Sequence, residues 1–141
     1  MVIGNLIGGK LTDRFSPEMT IIAILLLLSV DLVLVYLFSS NQYMSLLLVF
    51  MTGCISFSIG APIQMLMIKT AVGSEMIASA AIQAAFNVGN ALGAFLGGLP
   101  LVAGLKYATP NLVGVAMALS GALITVLFIK RKRRLVGVQT N

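Results

Sequence analysis

Long uncharged runs divide the chain, and short charged stretches punctuate them. A helix that spans a bilayer needs about 20 mostly apolar residues. Four runs meet that length: 19–38, 43–68, 76–105 and 107–129, here spans A to D. The pattern predicts an all-α integral membrane protein with four transmembrane helices plus the end of a fifth. That end is "MVIGNLIGG", residues 1–9, apolar but too short to cross. Residues 10–18 are expected as a cytoplasmic loop and residues 130–141 as a basic cytoplasmic tail. Pro100 is expected to end or kink span C, because proline lacks the backbone donor and clashes with the preceding turn.

Polar positions distinguish the spans. Span A is mostly Leu, Ile and Val apart from Asp31, and span D holds little beyond Ser120 and Thr125. Both are expected to face lipid. In span B, Thr52, Ser56, Gly60 and Gln64 follow at i, i+4 steps and form a small and polar stripe, and Pro62 is expected to interrupt the backbone ladder there and free a carbonyl one turn back. In span C, Ser79, Gln83, Asn87 and Asn90 share one face at about 100° per residue. Gly89, Gly93 and Gly97 form a ladder beside them. Small residues let backbones approach closely, so these three glycines are expected to pack a neighbouring helix. Any single amide is as readily interhelical glue, contributing about 0.6 to 2 kcal/mol, as it is cavity lining. Two polar faces on neighbouring spans favour a shared polar cavity, with Gln64, Gln83, Asn87 and Asn90 as its lining.

Composition strengthens the membrane reading. Of 141 residues, 59% are hydrophobic and 9% charged, against about 25% charged in a soluble domain. A mean hydropathy of +1.06 agrees. With no histidine and Cys54 as the sole cysteine, an intrachain disulfide and a Cys/His metal cluster are excluded. No metal, cofactor or covalent catalysis is expected. The net charge is +5. With four crossings, eight of the nine basic residues fall on one side and only Lys106 on the other. Basic residues concentrate on the cytoplasmic face, so both ends are expected there. The charge thus bears on topology and does not call for a nucleic-acid partner. Asp31 is the one Asp, Glu, Lys or Arg inside a predicted span. Proton relays use such groups. Its helical neighbours Leu27, Leu28, Leu34 and Val35 are apolar, so a locally paired carboxyl is favoured over a coupling site.

The stretch "GGKLTDR", with Gly9, Asp13 and Arg14, resembles the cytoplasmic-loop signature G-x-L-x-D-R of the major facilitator superfamily. "GAPIQMLMIKTA" and "ASAAIQAAFNVGNALGAFLGG" resemble the tenth and eleventh helices of its drug:proton antiporter branch, nearest the arabinose-efflux-permease-like and purine-efflux-like members. The sequence departs from the family in "FSPEM" after Arg14 and in Val72, where the family usually has proline. The resemblance implies that spans A to D are the ninth to twelfth of twelve helices and residues 1–9 the end of the eighth. It places the ninth and twelfth at the periphery and lets the tenth and eleventh line a central cavity. It further implies proton-coupled efflux of a sugar, nucleobase or drug across the inner membrane by alternating access between two halves. The chain is then expected as a C-terminal fragment, inactive alone. Its partners would be membrane lipid, a small-molecule substrate, and the missing N-terminal half or another copy of itself. Two other readings stay open: a non-transporting scaffold or assembly subunit, and a dimeric four-helix small multidrug exporter that uses Asp31.

Overall fold

The structure, a computed structural model, describes residues 2–138 and the side chains of residues 2–132. Six helices follow in order: α1 (Val2–Arg14), α2 (Pro17–Leu37), α3 (Gln42–Ser58), α4 (Gly60–Thr70), α5 (Glu75–Val102) and α6 (Pro110–Val138). Local chemistry sets their starts. Ser16 and Asn41 side chains accept from the backbone N–H of Met19 and Met44 at 3.4 and 3.3 Å, which caps α2 and α3. Pro17 and Pro110 open their helices, where a missing N–H is not needed. Glu18 and Glu75 lie in first turns, where negative charge is favourable. Gly104, with φ of 74°, supplies the left-handed residue that turns the chain after α5.

Four stretches are long and apolar enough to cross a membrane: Pro17–Leu37, Gln42–Thr70, Glu75–Val102 and Pro110–Lys132. Their boundaries depart from expectation in three places, and span B is interrupted near Pro62. The loop expected over 10–18 shrinks to Phe15 and Ser16, because α1 runs on to Arg14 and the Ser16 cap restarts the helix at once. The motif residues Gly9, Asp13 and Arg14 therefore sit on a helix and not in a loop. Span B is broken at Ile59 into α3 and α4. Pro62 has no N–H for the Ser58 carbonyl one turn back, so the helical ladder lapses there. Pro100 stays inside α5, which stops two residues later, so 103–105 form a turn. Residues 130–138, expected as a tail, continue α6 as helix; residues 139–141 lie outside the described residues.

The packing is built on small residues. α1 lies against α3 and α4, and α2 lies between α3–α4 and α6. Gly4 and Gly8 of α1 press onto the carbonyl oxygens of Cys54 and Ser58, so closely that a Cβ at either glycine would overlap them. Across α2 and α6, Gly114 receives Leu32 and Gly121 receives Leu25, while Ala118 and Ala122 are buried between them. This small-xxx-small spacing on α6 (114, 118, 122) is legible in the sequence. α2, expected at the lipid periphery, is the most enclosed of the four spans. It packs on every helix except α5. By contrast, the packing expected of Gly89, Gly93 and Gly97 is not made within this chain. A methyl group at Gly89 or Gly93 would meet no atom within 4 Å, and one at Gly97 would only reach Pro110 at 4.0 Å.

The turn between α1 and α2 is held by hydroxyls. Thr20, 2% exposed, has its Oγ1 at 3.1 Å from the Ser16 carbonyl and 3.4 Å from that of Leu11. Thr12 donates to the Gly8 carbonyl at 2.7 Å. Gly8→Ala should therefore separate α1 from α3 and destabilise the purified protein by about 1 to 3 kcal/mol, as overpacking does. Gly93→Ala should leave its stability unchanged. Thermal unfolding followed by circular dichroism in detergent checks both, and equal losses in the two variants would contradict the assignment.

Candidate functional site

The four amides expected to line a shared polar cavity make no hydrogen bond to one another among the described residues. Gln83, Asn87 and Asn90 lie on one face of α5, and all three are exposed. Gln64 on α4 is exposed as well. Among the described residues no hydrogen bond engages any of the four side chains. The stripe expected on span B is split by the break at Ile59. Thr52 turns in toward α2, Gly60 comes near Asn5 of α1, and Ser56 and Gln64 stay exposed.

α5 packs only on α4 and α6, and Ala78 and Ile82 are its buried residues. Because it stands off from α2, a cavity of about 810 Å³ opens among α2, α4, α5 and α6. Leu25, Leu28 and Leu32 form one wall, Ile63 and Met67 a second, and Ile82, Phe86, Gly89 and Asn90 a third. Asn90 alone of the four expected amides lines it; Gln64, Gln83 and Asn87 do not. The cavity is therefore apolar with one hydrogen-bonding side chain on its rim. The expected polar cavity is not closed by this chain.

Asp31 is the opposite case. It is 6% exposed, and Thr52 of α3 donates its hydroxyl to Asp31 Oδ2 at 2.5 Å. The same hydroxyl lies 2.9 Å from the Leu48 carbonyl. A hydroxyl carries one hydrogen and two lone pairs. Thr52 can thus donate to a carboxylate, or accept from a carboxylic acid while donating to Leu48. Asp31 is thereby satisfied inside the packed interface of α2 and α3. Sequence reasoning missed Thr52 as its partner, because the two lie on different helices and only packing joins them.

Charge gathers at one end. Lys132 of α6 donates to Glu18 Oε1 of α2 at 3.1 Å, and the charge of Lys69 at the end of α4 also reaches Glu18. Asp13 and Arg14 are exposed at the same end of the bundle and form no ion pair among the described residues. In this structure no three His, Cys, Asp or Glu residues group to hold a metal among the described residues.

Comparison with known proteins places this arrangement. The family model of the Major Facilitator Superfamily matches residues 1–141. The putative transporter AraJ of Escherichia coli (strain K12) is 29% identical over 134 residues, covering 95% of this chain and 34% of that protein. The inner membrane transport protein YdhP of the same strain is 33% identical over 132 residues, covering 94% of this chain and 33% of that protein. The chain thus spans about a third of the length of the curated relatives it matches. No solved structure matches it. The membership that follows is not that of the dimeric small multidrug exporters. With four helices long and apolar enough to span a membrane and a family match along its whole length, this multi-pass membrane chain belongs to the major facilitator superfamily.

Proposed function

We propose that this chain forms part of a proton-coupled efflux transporter of the inner membrane, which exports a small uncharged molecule by alternating access. In that reading α2, α3–α4, α5 and α6 are the ninth to twelfth helices, α1 is the end of the eighth, and both chain ends are cytoplasmic. One observation carries the proposal: Gln83, Asn87 and Asn90 line an exposed face of a membrane-spanning helix that has no partner in this chain. A polar group left without a hydrogen-bond partner in hydrocarbon costs several kcal/mol. The face therefore belongs against water, substrate or the remainder of the transporter. Alternation needs a face that is not permanently packed, and α5 carries an exposed face with three amides.

Uncharged amides both donate and accept hydrogen bonds and carry no charge to desolvate. They suit hydroxyls and ring nitrogens, so the substrate class is a sugar, a nucleobase or a neutral drug. The names of AraJ and YdhP, a putative transporter and an inner membrane transport protein, support transport and the inner membrane as the setting. Covering the amide face calls for an N-terminal half or a second copy of this chain. Asp31 is assigned a structural part, because Thr52 satisfies it away from the α5 face.

Three outcomes follow. In a complete transporter carrying this sequence, Asn87→Leu and Gln83→Leu should each lower efflux by roughly fivefold to tenfold, the weight of one hydrogen bond of about 1 to 1.5 kcal/mol. Membrane abundance should hold; abundance falling in step with flux would mean that the amides only glue helices. Asp31→Asn should preserve proton-driven efflux, since an amide oxygen still accepts from Thr52. Loss of coupling with substrate binding intact would instead make Asp31 the proton carrier. Reporter fusions after Asn141 and within Ser39–Gln42 should give opposite signals, and matching signals would sink the topology.

A further inference from the structure

We propose that the end of the bundle held by the Glu18–Lys132 ion pair is a docking surface for anionic phospholipid headgroups. The proposal starts from helix length. α6 has 29 residues, about 43 Å at 1.5 Å per residue, against a hydrocarbon core of roughly 30 Å. Its apolar run ends at Ile129, and Lys130, Arg131 and Lys132 follow, with Arg133 and Arg134 next in the same helix. The charges thus begin where the helix leaves the hydrocarbon.

The ion pair fixes how they are presented. Lys132 is turned onto Glu18 of α2. At about 100° per residue, positions 130 and 134 lie about 160° round α6 from Lys132, on the side away from α2. Positions 131 and 133 flank them. Glu18 pairs with Lys132, which leaves four further basic positions on the other sides of this helix end. Lys10, Arg14 and Lys69 are exposed at the same end and add positive charge. The acidic residues there are few. Asp13 is exposed, and the Glu75 carboxylate accepts from the Gly73 N–H at 2.9 Å.

Charge alone would suit a free phosphate equally well. Apolar surface beside it favours a lipid. Leu123 and Leu127 of α6 lie one to two turns before positions 130 and 134, on the same face at about 100° per residue, and are 59% and 55% exposed. A phosphodiester on the cations with its acyl chain against such side chains joins both surfaces in one ligand. Each basic residue near an anionic lipid surface adds favourable energy, so several together discriminate strongly.

The test uses the purified chain in detergent micelles, where orientation in a bilayer does not enter. Native mass spectrometry counts bound phosphatidylglycerol against phosphatidylcholine at equal supply. The wild type should prefer phosphatidylglycerol by roughly tenfold, and Lys130→Gln, Arg131→Gln, Arg133→Gln and Arg134→Gln together should bring this below roughly twofold. Lys132 is kept so that its pair with Glu18 persists. Circular dichroism verifies the helices; if the quadruple variant is misfolded, the double variant Lys130→Gln, Arg131→Gln decides, with an intermediate preference expected. Equal retention of the two lipids by the wild type would overturn the proposal and leave the basic run with topology alone. Unchanged preference in the folded variants would overturn it as well. Displacement of the lipid by millimolar inorganic phosphate would show a phosphate site instead of a lipid surface.

Discussion

The break at Ile59 is the constraint on which the arrangement rests. Pro62 withholds the N–H that would close the ladder onto the Ser58 carbonyl. In hydrocarbon, a freed carbonyl needs cover by protein. Ser58 and Pro62 are both buried, and the cover comes from Gly8 of α1, whose backbone lies directly on that carbonyl. Close approach of a backbone Cα to a carbonyl oxygen is mildly favourable in itself. It demands glycine, because any Cβ would fill the contact. Gly4 repeats the contact one turn earlier, on Cys54. Once α1 is set there, the two-residue connection at Phe15 and Ser16 fixes where α2 begins. α2 then provides the wall against which α6 lays its small residues.

Polar side chains at membrane depth divide into two groups. Asp31, Thr52, Ser58 and Thr125 are hydrogen-bonded within the chain, to one another or to carbonyls one turn back. They need nothing further. Gln64, Gln83, Asn87 and Asn90 have no such partner and are exposed. A polar group costs least where it is paired, so under the proposed function the unpaired set is the face turned to substrate, water or the rest of the transporter. The glycine ladder of α5 points the same way. Gly89 and Gly93 present open backbone with nothing against it. Buried, hydrogen-bonded Asp31 is thus the weaker candidate for function, and the least packed helix is the stronger one.

Much of the architecture could be read from the chain itself. Hydropathy marks four helices long enough to cross, because a bilayer demands about 20 apolar residues and internal backbone pairing. The basic asymmetry, the proline in span B and the amide face of span C are equally local, since each depends on residue type and helical period alone. The "GGKLTDR" resemblance and the amide-and-glycine pattern were sufficient to point to the family. What could not be read was which faces meet. Asp31 and Thr52 are 21 residues apart on separate helices, and no periodicity links them.

The same limit explains the reversals. Leu-rich α2 looked like a lipid-facing helix, because in a membrane the lipid and the protein interior are equally apolar. Hydrophobicity cannot tell one from the other. Small residues recur every fourth position on α1 (4, 8), α5 (89, 93, 97) and α6 (114, 118, 122), yet those of α1 and α6 receive neighbours while Gly89 and Gly93 of α5 receive none. Composition and period therefore determined the class, the crossings and the identity of the polar faces. Only the tertiary structure decided which small residues touch, that Asp31 is satisfied, and that α5 leaves its amides open. Contacts between helices depend on shape and on the partner surface, and neither is written in the residues of one helix.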